Sequence, residues 1–182
     1  GMGIIHSLSV MLNIMKANNA RPKTVYATRN INNTRGFEIE PIYNILINFD
    51  NGSTGFCFGN VDVANGYDAY HNIHGTKGGL IFDRYLPRPQ KIRFWSDLKT
   101  DGAWISPLDT KNCPEEFQWP KDTTTPDSGD VVNHQTGACV RHFLDCIHNK
   151  TQSFLSFENS SMTADVGWAA IRSCESGTPE II

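Results

Sequence analysis

Apolar and polar positions alternate most regularly from Ile42 onward. Tyr43, Ile45, Ile47 and Phe49 interleave with Ile42, Asn44, Leu46 and Asn48, the period of two expected of a strand with one buried face. Asp50-Asn51-Gly52 reads as a tight hairpin in which Asn51 and Gly52 supply positive-φ positions, returning the chain over Ser53 to Val63. On that return, Phe56 and Phe58 face one way, while Gly55, Cys57 and Gly59 leave the other face nearly bare. Strands over Tyr67 to His74 and Leu80 to Asp83, joined by Gly75-Thr76-Lys77-Gly78-Gly79, extend the pattern into an antiparallel meander from Ile42 to Asp83. Lys91 to Ser96 reads as an edge strand.

Towards both ends of the chain the period becomes helical. Ile5, Leu8, Leu12 and Met15, with Met11 beside them, predict an amphipathic helix of three to four turns, closed by Asn18-Asn19 before Pro22. Thr24 to Arg29 reads as a strand and Asn30 to Gly36 as a polar loop. Asp130 is expected to cap a second helix running to about Asn149, with Val132, Cys139, Phe143, Cys146 and Ile147 on its buried side. After a short extended piece, Ser153 to Phe157, a third helix is expected from about Ser160 to Ser176, ended by Gly177 and Pro179. Glu180 to Ile182 should add a final strand. Between these parts, Asp97 to Gly129 is long and irregular; it reads as a surface loop anchored by Trp104 and Trp119 in preference to a ligand lid.

Composition narrows the picture to one globular domain over residues 1–182. The 182 residues, 39% hydrophobic and 19% charged, are enough for a single core. A net charge of -3 with scattered lysines and arginines gives no footprint for a nucleic acid. No apolar run reaches the length of a membrane span and no leader is visible, so cytoplasm is the default location. Gly1 before Met2 has the look of a cloning remnant, so the natural chain is expected either to start at Met2 or to be cut from something longer. The five cysteines have no Cys-x-x-Cys spacing and read as reduced thiols.

Candidate chemistry is sparse. Gly1-Met2-Gly3 imitates the opening of a dinucleotide fingerprint, but His6 stands where the third glycine belongs and no strand precedes it. Phosphate loops, Gly-x-Ser-x-Gly elbows and His-Glu-x-x-His helices are missing from the sequence. Cys139, His142 and Cys146 would share one helix face and suit zinc by ligand type, yet they need a fourth ligand; the plainer reading makes the cysteines small hydrophobes, with no metal bound. His6, near the start of the first helix with Ser7 and Ser9 after it, has the chemistry of an acid or base near neutral pH. Spacing alone favours a partly buried helix-start histidine.

The order of several pieces resembles the C-terminal domain of the Gfo/Idh/MocA oxidoreductases, the glucose-fructose oxidoreductase and inositol dehydrogenase family. They are the helix opening with His6 followed by Arg21-Pro22-Lys23-Thr24-Val25-Tyr26-Ala27, the strand and turn Ile45 to Gly52, Ile73-His74-Gly75-Thr76-Lys77-Gly78-Gly79, the segment Phe143-Leu144-Asp145-Cys146-Ile147, and the closing helix that ends at Gly177. The resemblance covers nearly the whole chain. It implies an α+β fold, an open, mostly antiparallel β-sheet with helices packed on one face and a subunit interface on the other, a role that would suit the bare Gly55-Cys57-Gly59 surface. It also implies NAD or NADP bound on a separate N-terminal Rossmann domain that supplies a lysine, and a sugar or cyclitol substrate contacted by this domain. His6 matches the family's histidine, with Lys77 a candidate substrate neighbour. The aspartate four residues before that histidine falls on Met2 here, and Ser9 occupies a place where an acidic residue often follows.

These expectations describe the substrate-binding and oligomerisation part of an oxidoreductase, inactive by itself. The alternative is a free-standing binding or assembly module that kept the fold without catalysis, which the missing aspartate favours. A third reading is a carbohydrate-binding module that stacks sugars on Trp95, Trp104 or Trp119.

Overall fold

The hairpin sequence Phe49-Asp50-Asn51-Gly52-Ser53 sets the register of the principal sheet in this computed structural model. The structure describes residues 2–30, 34–62, 69–84, 91–107, 109–118, 136–153 and 156–182. Gly52 alone in the turn has a positive φ, of 84°, so Asn51 does not take the left-handed conformation expected of it. The loop instead closes with Gly52 donating to the Phe49 carbonyl at 3.1 Å and Phe49 donating to the Ser53 carbonyl at 2.9 Å, a three-residue hairpin with glycine at the left-handed position. Asn51 contributes its side chain, whose Oδ1 accepts the Ser53 N–H at 3.0 Å.

Contacts divide the chain into two compact units, residues 1–64 with 142–182, and residues 65–141. In the first, strands β1 (Pro22–Asn30), β2 (Ile42–Phe49), β3 (Thr54–Asn60) and β7 (Glu180–Ile181) form an antiparallel sheet in the order β3-β2-β1-β7. Helices α1 (Met2–Ala17) and α3 (Phe157–Ser176) cover one face, and Val25, Ala27, Ile45, Ile47 and Phe49 meet Leu8, Leu12, Val166, Ala169 and Ala170 in the core. The core side of α1 is carried by Ile4, Leu8, Met11, Leu12 and Met15, while Ile5 stays exposed. Asn19, at φ 56°, closes the helix as the sequence suggested, and Ala20 donates across it to the Met15 carbonyl.

The bare face of β3 is the buried one. Gly55 and Cys57 lie against α1, and a Cβ built at Gly59 would come within 2.8 Å of the Ile4 Cβ. The absent side chains let a helix approach the sheet closely, so this surface is not available to a second subunit. The open face carries Tyr26, Leu46, Phe56 and Phe58, with Phe56 61% and Phe58 51% exposed. Asn44 and Asn48 on that face donate across the strands to Thr28 and Thr24.

β7 pairs with β1 only at Thr24 and Val25. Beyond that pairing the Ala27 N–H is satisfied by the Ser173 hydroxyl of α3 at 3.0 Å, which itself donates to the Thr178 carbonyl at 2.7 Å. Gly177, at φ 71°, ends α3 where the sequence placed its stop.

The second unit holds the three-stranded antiparallel sheet β4 (Ala69–His74), β5 (Gly78–Arg84) and β6 (Lys91–Ser96), with β6 at an edge. The expected meander is therefore split between two sheets. Helix α2 (Thr136–Asn149) crosses the boundary between the units. Of the residues expected on its buried side, Cys146 is buried, Cys139, Phe143 and Ile147 are exposed, and Val132 lies outside the described residues, as do Asp130 and Trp119. Overall the chain is α+β with antiparallel sheets, as expected.

Candidate functional site

His6 projects from α1 on the side away from the buried Leu8 and Leu12, and its side chain is exposed. The same outer side carries Ser9, Val10 and Asn13. Asn13 donates its side-chain amide to the Ser9 carbonyl at 2.9 Å and to the Ser9 hydroxyl at 3.4 Å, so Ser9 is engaged within the helix. Among the described residues none hydrogen-bonds or ion-pairs with the His6 imidazole. A histidine so placed can accept or release a proton, but the orienting carboxylate that such a group commonly uses is missing from position 2.

Lys77 belongs to the second unit, in the turn between β4 and β5, with its ammonium exposed. The turn is closed by Gly75 donating to the Gly78 carbonyl at 2.8 Å, and the Lys77 carbonyl accepts the Asp97 N–H at 3.1 Å. This glycine-rich turn links two antiparallel strands and leads into no helix N-terminus, so it cannot cradle a pyrophosphate.

Cys146 Sγ lies 3.6 Å from His142 Nε2, and the same nitrogen is 3.2 Å from the Ser153 hydroxyl. Cys139 is exposed one turn earlier, and among the described residues no group of three metal-ligating side chains comes together. Two polar features had no signal in the sequence. Glu40 receives the Tyr43 hydroxyl at 3.4 Å and pairs with Arg29 at 3.4 Å; burial, then the Glu40 carboxylate, pushes the Tyr43 phenol above its usual range. A groove of about 440 Å³ lined by Asp165, Trp168, Arg172, Ile181 and Ile182 runs between α3 and the C-terminal strand. It brings together residues over fifteen positions apart, which periodicity cannot pair. Among the described residues, no helix is long and apolar enough to cross a membrane.

This architecture has the fold of a domain found in several oxidoreductases of known structure, in keeping with the resemblance drawn from the sequence. The chain is similar to an aldose-aldose oxidoreductase from Caulobacter crescentus complexed with glycerol, at 20% identity and a TM-score of 0.69, over 98% of this chain and 46% of that one. An oxidoreductase from Agrobacterium radiobacter in complex with NAD+, L-tartaric acid and magnesium matches 97% of this chain and 47% of its own, at 17% identity and a TM-score of 0.69. An oxidoreductase domain protein from Kribbella flavida matches at 16% identity and a TM-score of 0.69, over 96% and 48% of the two chains. The chain thus spans about half the length of the structures it matches. No protein-family model and no curated protein matches the sequence.

Proposed function

We propose that this chain is the substrate-binding and oligomerisation part of an NAD(P)-dependent oxidoreductase acting on a sugar or cyclitol, catalytically incomplete by itself. The observation that carries the reading is coverage: nearly all of this chain superposes on a little under half of each oxidoreductase neighbour. Glycerol and L-tartaric acid in two of those neighbours are small polyhydroxylated molecules, in keeping with a hydroxyl-bearing substrate. His6 is the group we assign to proton transfer at the substrate hydroxyl, and Lys77 a substrate contact. Met2 leaves the imidazole without an orienting carboxylate, so on this reading proton transfer in the parent enzyme is slow or differently tuned. The nucleotide would be held by residues outside this chain, and the working place would be the cytoplasm.

Calorimetric titration of the isolated chain with NAD+, NADH, NADP+ and NADPH tests this reading. No binding is expected to any of them. Saturable binding of one would show a nucleotide site in this chain and overturn the division of labour.

A further inference from the structure

The second unit carries an aromatic cluster that the oxidoreductase reading leaves unused. β6 ends in Phe94-Trp95-Ser96, and the chain turns back at once. Thr100 holds that turn, its hydroxyl accepting the Ser96 N–H at 2.8 Å and donating to the Ser96 carbonyl at 2.9 Å. Asp101 and Gly102 take left-handed conformations, at φ 50° and 77°, and complete the reversal. Ile105 then pairs with Phe94 through two backbone hydrogen bonds of 2.8 Å.

That register sets Trp104 beside Trp95, with ring centroids 6.2 Å apart and planes at 68°. His74, at the end of β4, meets Trp104 in an edge arrangement at 6.3 Å. The Arg93 guanidinium lies 5.9 Å from the Trp104 ring centroid. Gly79 leaves room for the Trp95 indole, because a Cβ there would collide with its Nε1. Trp104 is thus fixed by three neighbours on an ordered turn and still keeps 39% of its surface exposed, more than an anchor pressed into a core would.

The exposed side chains of the two neighbouring turns and of the strand ends beside them are polar and of mixed charge. Arg93, His74 and Lys77 are exposed donors, while Asp97 and Asp101 are exposed carboxylates, and the Asp97 N–H to Lys77 carbonyl bond ties two of these positions together. A pyranose ring is the complement of such a surface. Its C–H face lies against an indole, and its hydroxyls donate and accept around the edge. Asp97 and Asp101 balance the charges of Arg93 and Lys77, so a neutral ligand suits these side chains better than a strongly anionic one, and a purely apolar one would leave them stripped of water.

We propose that Trp104, with Trp95 beside it, is a stacking platform that anchors a neutral glycan chain. This binding function stands on the second unit alone and does not depend on the oxidoreductase reading.

The test is titration of the full chain with cellotetraose, xylotetraose, maltotetraose and glucose, followed by the indole N–H resonances assigned through single tryptophan substitutions. Saturable shifts of the Trp104 and Trp95 signals are expected with at least one tetraose, which should bind more tightly than glucose. Trp104→Ala should weaken that affinity about tenfold. Trp168→Ala, which removes an exposed indole in the first unit, should leave it unchanged. Trp104→Phe keeps an aromatic ring in the turn and guards against loss of folding; its affinity should fall between wild type and Trp104→Ala. No saturable shift at Trp104 with any of the four sugars, or an equal affinity in Trp104→Phe, Trp104→Ala and wild type, overturns the proposal. Nucleotide titration reads neither Trp104 nor the glycan, so the two readings fail separately.

Discussion

Cys57 sits in the middle of β3 beneath α1, its Sγ 3.9 Å from the Ile4 carbonyl, and burial pushes its thiol up to about 11. Because the folded state holds its proton more tightly than the unfolded state, the stabilising difference is present at neutral pH. It is lost as pH rises above the ordinary thiol value near 9 and levels off above about 11. The full effect is about 2–3 kcal/mol. Urea unfolding of wild type and Cys57→Ala across this window should show the extra alkaline loss in wild type alone; parallel curves would exclude it. A second residue with a separable role is Lys150, which closes α2 at φ 52°. Thr151 donates to the Cys146 carbonyl across it at 3.0 Å, so Lys150→Gly should relieve the left-handed strain and raise stability by about 1 kcal/mol in the same assay. At this scale the sequence yields residue chemistry without surroundings. It identified His6 as a titratable group at a helix start, but spacing could not show that the side chain is exposed and that Ser9 is held by Asn13. The Glu40, Tyr43 and Arg29 cluster escaped notice for the same reason, since it is assembled by the pairing of β1 with β2.

Helix α1 meets β3 through missing side chains. Gly59→Ala would place a methyl group 2.8 Å from the Ile4 Cβ, in a contact already closed, and should destabilise the chain by about 1–3 kcal/mol. Combining it with Ile4→Ala should lose less than the sum of the two single changes, since removing the Ile4 branch clears the space; strict additivity in a thermal unfolding cycle would refute direct contact. The two strands of this hairpin were legible because alternation is a local property, and β2 forms over the span read from it. Which face is covered was not legible from the side chains of β3 alone. Phenylalanines advertise burial and glycines do not, yet here the glycines mark the place of closest approach. The division of the strands between two sheets is likewise a matter of which edges pair, and alternation carries no information about edges. Helix α2 shows the same limit, with a readable period whose apolar positions Val140, Phe143, Leu144 and Ile147 are all exposed.

At the scale of the whole molecule, the uncovered side of the first sheet is what remains to be explained. Tyr26 pairs with Leu46 and Leu46 with Phe56 across three adjacent strands, and Phe58 stands opposite Asn44, so apolar side chains form a band across the sheet. The other face of this sheet is filled by α1 and α3, and among the described residues this band stays exposed. A second copy presenting the same band would bury both, and a two-fold contact needs only one surface. The chain is therefore expected to associate in solution through Tyr26, Leu46, Phe56 and Phe58. Replacing both Phe56 and Phe58 by Ser should weaken that association about a hundredfold, as loss of two aromatic anchors would. Because both side chains are more than half exposed, the unfolding transition measured under dissociating conditions should barely move. Sedimentation equilibrium distinguishes the outcomes. A wild-type chain that stays monomeric at high concentration, or a double variant that associates as strongly as wild type, would leave the band without this partner and move the interface elsewhere.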